Sequence, residues 1–242
     1  MRILVTGARG AIGAGIVRQL AARGDLVIAH DVRDEEQNAQ ADQPGVTAVV
    51  GDLLAENDRA RLVRMWGEGP LDCVIAAHGI DGSGALAELD PVFVERVLSV
   101  NAASIPALLR LTLPALRQAR GIFVVIASQA GLQAEANNAA YCAAKFAVVG
   151  WVRALAPALR AEGVALRALC PGCTKSPLLF GAQARFAAAQ GVPLDAFLWE
   201  RMARIAVGRF AEVEETAAAA LYLADKGDRP VIFAATGGEV LH

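Results

Sequence analysis

Cysteine, histidine and lysine are all scarce in this chain, and each scarcity removes a class of function. Four cysteines (Cys73, Cys142, Cys170 and Cys173) among 242 residues are too few, and too closely tied to strand-like runs, for a disulfide framework. There are three histidines, and no second His, Cys or carboxylate stands at a convincing ligand spacing to His78, so no metal is expected. A net charge of −2 and a pI near 6.0 leave no cationic footprint for a nucleic acid. Hydrophobic residues make up 55% of the chain, yet no uncharged run approaches the ~20 residues of a membrane span. The start, Met-Arg-Ile-Leu-Val-Thr-Gly, enters a strand directly, without the longer apolar region and cleavage site of a signal peptide. The expectation is a cytoplasmic protein with reduced thiols and a small-molecule partner, binding neither membrane nor nucleic acid.

What the chain has is alternation. Strand-like runs at 3–5, 26–30, 47–50, 73–77, 122–127, 164–169 and 231–235 are separated by helical patterns at 11–23, 55–66, 91–117, 139–159 and 213–224. Such alternation predicts an α/β fold, with parallel strands joined by right-handed crossovers and helices on both faces. No linker, low-complexity tract or internal repeat stands out, so residues 1–242 are expected to form one domain. The segment 178–207 has no clear place in the sheet.

The first strand runs into Thr6-Gly7-Ala8-Arg9-Gly10-Ala11-Ile12-Gly13, after which a helix begins. A glycine-rich turn between strand and helix lets the backbone approach a pyrophosphate, whose charge sits at the helix N-terminus. The second strand ends in Asp31, about 20 residues on, where a carboxylate can accept both ribose hydroxyls of an adenosine; the alternative is a solvated strand-end residue. Asp52, in Val50-Gly51-Asp52-Leu53, is placed to reach the adenine edge or to cap the next helix. The fourth strand ends in Ala76-Ala77-His78-Gly79. There His78 should line the cleft, in contact with cofactor or substrate more than in chemistry. Asn101 sits within a mainly apolar helical pattern, where an amide calls for a partner, often at a helix kink or a buried water, unless it is simply exposed.

Most informative is the stretch from Gly121 to Lys145. Residues 122–127 form a continuous apolar run, as in a strand buried on both faces, and it ends on Ser128. A polar loop follows, then Ala-Ala-Tyr141-Cys-Ala-Ala-Lys145, which puts Tyr141 and Lys145 on one helical face. Lys145, one of only three lysines, is the only charged residue between Glu135 and Arg153. An ammonium in an apolar helix is costly to desolvate unless something nearby stabilises it. A second pair at the same spacing, Tyr222 and Lys226, lies near Gly227, where a lysine suits a helix terminus. Cys170-Pro171-Gly172-Cys173 has a redox spacing, but it follows a strand instead of opening a well-marked helix.

Together these residues resemble the short-chain dehydrogenase/reductase family, and the resemblance covers essentially the whole chain. The glycine turn, Asp31, Asp52, Asn101, Ser128, Tyr141, Lys145 and Pro171-Gly172 occur in the family's order. The steps from Asn101 to Ser128 and from Ser128 to Tyr141 are similar to the family's. Pro171-Gly172-Cys-Thr174-Lys-Ser176 is similar to its nicotinamide-side loop, with Ser176 where a threonine is more usual. Two departures stand out. Gly7, Gly10 and Gly13 follow GxxGxxG where the short branch usually has TGxxxGxG, and the usual NNAG is replaced by Ala76-Ala77-His78-Gly79.

The resemblance implies a single-domain Rossmann fold, with a doubly wound seven-stranded parallel sheet, and an NAD-dependent alcohol dehydrogenase or ketone reductase. Tyr141 would be the general acid/base, Ser128 would hold the substrate oxygen, Lys145 would lower the phenol pKa and bond the nicotinamide ribose, and Asn101 would pass protons to solvent. Gly7, Arg9, Gly10, Ala11, Ile12, Gly13, Asp31, Val32, Asp52, Leu53, Ala76, Ala77, His78, Gly79, Tyr141, Lys145, Pro171, Gly172, Thr174 and Ser176 would bind the cofactor. Asp31 favours NAD over NADP, with Arg9 and Arg33 as opposing charges. A methyltransferase-like sheet would not need Ser128, Tyr141 and Lys145 in register. A sugar-nucleotide epimerase would need a larger C-terminal region. A non-catalytic nucleotide-sensing protein stays open as the alternative. Residues 178–207 should cover the active site, and their mix of apolar groups with Arg185, Arg201 and Arg204 suits either an apolar ketone or a small acid. Broad apolar faces on the helices 91–117 and 139–159 point to a homo-oligomer, by resemblance a tetramer or dimer.

Overall fold

The computed structural model describes residues 1–32, 43–67 and 69–240, leaving the Glu88 side chain aside. The apolar runs become strands β1 (Arg2–Thr6), β2 (Leu26–Asp31), β3 (Val46–Val50), β4 (Cys73–Ala76), β5 (Ile122–Ile126), β6 (Ala165–Pro171) and β7 (Ile232–Ala235). Between them lie helices α1 (Ala11–Ala22), α2 (Glu56–Trp66), α3 (Pro91–Leu98), α4 (Ser104–Ala119), α5 (Ala139–Ala161), α6 (Pro177–Gln190), α7 (Leu194–Ala203) and α8 (Val213–Ala224). The strands pair in parallel as one seven-stranded sheet, ordered β3-β2-β1-β4-β5-β6-β7. This is the doubly wound Rossmann arrangement the sequence led us to expect.

Side chains alternate across the sheet, and each face has its own core. Leu4, Ile28, Val74 and Phe123 pack against Leu62 of α2, Leu108 of α4 and Val148 of α5. Ile3, Val5, Ile75 and Val124 pack on the other face against Ile16 and Leu20 of α1 and Leu223 of α8. With helices on both sides, β4 and β5 are buried along their whole length, which is why they read as unbroken apolar runs. Pro91–Ala119 and Ala139–Ala161 are long and apolar enough to cross a membrane by length and composition; in the structure both supply side chains to the sheet's core. Strand β1 pairs with β2 on one side and β4 on the other. At that switch of winding direction the flanking loops part and leave a crevice over the carboxyl ends of the strands.

Two elements differ from the expected pattern. The single helix expected at 91–117 is broken by a π turn at Ser99–Ala103, which separates α3 from α4. The unplaced segment 178–207 folds as most of α6 and all of α7.

Candidate active site

The crevice holds a cavity of about 840 Å³. Gly7, Arg9, Gly10, Ala11, Ile12, Gly13, Asp31, Val32, Asp52 and Leu53 line one end of it, and Ala77, His78 and Gly79 line the middle. Ser128, Tyr141 and Lys145 meet Pro171, Gly172, Thr174 and Ser176 at the other end. Of the catalytic and cofactor-binding residues expected from the sequence, Ala76 and Asn101 are not part of this lining. Arg33 lies outside the described residues.

The turn after β1 depends on glycine at two points. Gly7 has φ +66°, and a Cβ there would lie 2.5 Å from the Cα of His78; a Cβ on Gly13 would lie 2.0 Å from the Gly7 carbonyl oxygen. Helix α1 starts with no side-chain cap and no acidic residue in its first turn, so its first N–H groups are left for an anion. The Asp31 carboxylate, 6% exposed, accepts a hydrogen bond of 2.8 Å from the Arg9 backbone N–H. Asp52 accepts from the Leu54 N–H at 2.9 Å; Ala55 stands at the N-cap of α2, so Asp52 shapes the turn without capping the helix. A bare glycine cradle, an uncapped helix start and a strand-end carboxylate along one crevice fit a dinucleotide.

His78 lines the cleft as expected, and both of its ring nitrogens are held by protein groups. Its Nδ1 lies 2.6 Å from Thr6 Oγ1 and its Nε2 2.8 Å from Ser104 Oγ. Ser104 donates its own proton to the Val100 carbonyl at 2.7 Å. Ser104 must therefore accept from Nε2–H, which leaves Nδ1 to accept from Thr6. The ring ties β1 to the start of α4, across the place where two family amides are missing. Burial, then the Lys145 charge, pushes its pKa down to about 3, so it stays neutral. Ala76 is corrected as a cofactor contact: it is fully buried in β4, packed into the core. Asn101, 1% exposed, accepts from the Ile80 N–H and donates to the Ile80 carbonyl, both at 2.8 Å. Its amide clasps the loop after β4 as a neighbouring strand would, and this explains the π turn. Both polar ends of its side chain are thereby engaged with the backbone.

Ser128 follows β5, where the strand leaves the sheet, and accepts from the Ala130 N–H at 3.1 Å. Burial pushes the Tyr141 phenol up to about 12, against the pull of the Ser128 hydroxyl hydrogen-bonded to it, with Glu135 adding to the rise. Lys145 is 4% exposed. Its ammonium donates to the Ile126 carbonyl at 3.0 Å and lies 5.4 Å from the Tyr141 ring centroid. Burial lowers its pKa to about 8. The expected lowering of the phenol by Lys145 does not arise in the protein alone: loss of water around the ring dominates, and only the Ser128 hydrogen bond opposes it.

The wall beyond Tyr141 joins Arg201, named from the sequence, to Glu135, Glu239, Gln129 and Asn138, which the sequence did not single out. Arg201 of α7 pairs with Glu135 and, at 3.0 Å, with Glu239. Gln129 donates to Glu135 at 3.2 Å and to Glu239 at 2.9 Å, and Asn138 donates to Glu135 at 3.0 Å. The only signal for Glu135 was its position as the last charge before Lys145. Ser176 and Thr174 line the cavity but bond within the protein: Ser176 caps α6 by accepting from the Leu179 N–H at 3.1 Å, and Thr174 meets Thr216 at 2.8 Å.

A family model described as short chain dehydrogenase matches residues 1–185. D-beta-hydroxybutyrate dehydrogenase of Cupriavidus necator is 29% identical over 237 residues, covering 94% of this chain and 92% of that protein. L-fucose dehydrogenase of Mus musculus is 31% identical over 229 residues, covering 93% and 82%. Among solved structures, an actinorhodin polyketide ketoreductase with NADPH superposes with a TM-score of 0.89 at 26% identity, covering 98% of this chain and 96% of that one.

Proposed function

The chain belongs to the short chain dehydrogenase family, and within it we propose an enzyme that transfers hydride between NAD and a secondary alcohol or ketone. The observation that carries this reading is the convergence of Ser128, Tyr141 and Lys145 at one end of a cavity whose other end is the glycine cradle and Asp31. The nicotinamide, when bound, supplies the hydride acceptor or donor. The residues supply placement and the proton. Ser128 holds the substrate oxygen beside Tyr141. With its pKa held high, the Tyr141 phenol keeps its proton at neutral pH, the state required to protonate a developing alkoxide during ketone reduction. The Lys145 ammonium stands at the Tyr141 ring and would hold the cofactor's ribose. Asn101 fixes the loop that carries Gly79, where a Cβ would lie 2.9 Å from its Oδ1.

For the cofactor, Asp31 supports NAD, because a buried carboxylate repels a 2′-phosphate while accepting free ribose hydroxyls. The test is an alcohol and ketone panel with each nicotinamide cofactor, followed by absorbance. Turnover with higher catalytic efficiency for NAD is the expected result. Higher efficiency with NADP overturns the reading of Asp31, and absence of turnover with every pair returns the protein to nucleotide sensing. The protein is also proposed to be a homo-oligomer, since Phe146 and Trp151 of α5 are 44% and 42% exposed on a helix whose other side packs on the sheet. Light scattering at the monomer mass of 25.2 kDa would refute that.

A further inference from the structure

The substrate end of the cavity has an arginine, and the fold has already neutralised it. Arg201 reaches in from α7, a helix that has no fully buried residue, with its side chain only 11% exposed. It meets two carboxylates, Glu135 and Glu239, whose side chains are 19% and 10% exposed. Burial raises the Glu135 pKa, but Arg201 and the amides of Asn138 and Gln129 more than reverse this and hold it below its ordinary value. Glu135 is therefore ionised at neutral pH. One guanidinium between two carboxylates leaves the group with a net charge of −1, and the two amides that donate to it are neutral. Glu135 and Arg201 line the same cavity as Ser128 and Tyr141, so this charge faces the substrate end.

No other cation offsets it on that side among the described residues. Arg185 is engaged by Asp81 and by Ser83 Oγ at 2.8 Å, and Arg204 by Glu200 at 2.6 Å. Arg96 borders the cavity from α3 but is exposed, where an ion pair is worth little. Lys145 sits at the Tyr141 ring with its ammonium bonded to the Ile126 carbonyl.

From this geometry we infer that the substrate is an uncharged alcohol or ketone, and that Arg201 anchors α7 over the site instead of receiving a substrate carboxylate. The inference rests on the oxidoreductase reading above and narrows it. The relatives span both possibilities, one named for a hydroxy acid and one for a neutral sugar. A substrate carboxylate would meet Glu135 with no buried guanidinium free to compensate, and such like-charge contact is expected to weaken binding roughly tenfold or more.

The experiment uses the enzyme–NADH complex, titrated with cyclohexanecarboxamide and with cyclohexanecarboxylate at pH 7.5 while nicotinamide fluorescence is followed. These probes share shape and differ in charge. The expected result is tighter binding of the amide by at least about tenfold, with the gap narrowed in Glu135→Gln and in Glu239→Gln, each checked for folding by circular dichroism. Carboxylate binding equal to or tighter than the amide overturns the inference. So does a gap unmoved in both variants, or a site that takes up neither probe. If NADH itself fails to bind, the cofactor reading falls instead, and the two failures are told apart at the first titration.

Discussion

Tyr141 and Lys145 lie one turn apart on the continuous helix α5, whereas Tyr222 and Lys226, at the same spacing, straddle the end of α8 at Ala224. The first lysine is 4% exposed, with its ammonium on the Ile126 carbonyl and the Tyr141 ring beside it. The second lysine is exposed beyond its helix, and Tyr222, 42% exposed, packs its ring tilted against Phe233 at 5.7 Å and carries Arg229 at 4.4 Å over it. A four-residue spacing places two groups on one face only where the helix runs through both of them. Even then it becomes chemistry only at the carboxyl edge of the sheet, where loss of water shifts both groups.

The largest effect should come from breaking the first pair. Tyr141→Phe is expected to lower turnover by at least ~10²–10⁴-fold, the usual contribution of a positioned acid or base, while NADH binding measured by fluorescence stays nearly unchanged. Equal losses in both would mean that the phenol holds the cofactor instead of the proton.

Next comes Lys145→Ala, expected to damage turnover and cofactor affinity together, because one ammonium would serve both the phenol and the cofactor's ribose. Its pH signature has a definite sign. With its pKa lowered to about 8, the ammonium is lost as pH rises through 8, so activity that needs it should decline on the alkaline side. The wild-type pH profile should carry that limb, and the Lys145→Ala profile should lack it.

How far this site was legible depends on how far apart its partners lie. Strand β5, Ser128 and the α5 pair could be read from adjacent residues, because a doubly covered strand leaves an unbroken apolar run and a helix has a fixed period. The clasp of Asn101 could not, since its partner Ile80 is 21 residues away and neighbouring propensities favour an uninterrupted helix. Nor could the Arg201–Glu135 pair, 66 residues apart, which depends on the angle at which α7 folds back. His78 was legible as a cleft residue but not as a strut, because Thr6 and Ser104 lie 72 and 26 residues from it.

His78 yields the third test, an effect on stability instead of rate. Its folded pKa of about 3 lies below its ordinary 6.5. The unfolded chain therefore binds the extra proton first, and stability is lost as pH falls from 6.5 toward 3. The shift corresponds to a loss on the order of a few kcal/mol. Asn at this position keeps a donor and an acceptor without titrating. Melting temperatures of the wild type and His78→Asn, compared between pH 7 and pH 4, should converge as the solution becomes acidic. A difference that stays constant with pH would show that the ring does not remain neutral in the fold.

The smallest effect should come from the second pair, and its smallness is the point of the comparison. Tyr222→Phe removes a hydroxyl from a side chain that is 42% exposed and leaves the ring in contact with Phe233 and under Arg229. Stability should change within about 0.5 kcal/mol, as for surface substitutions away from special features. That is a shift of roughly 2 °C or less in Tm for a chain of this length. Turnover should stay within about twofold, because nothing in this variant touches the cavity lined by Ser128, Tyr141 and Lys145. Tyr222→Ala supplies the contrast, since it deletes both ring contacts and should lower Tm further with turnover per folded molecule still intact. Measured beside Tyr141→Phe, these two variants separate position from spacing. An inactive, well-folded Tyr222→Phe with an active Tyr141→Phe would move the chemistry to the end of α8 and overturn the assignment of the site.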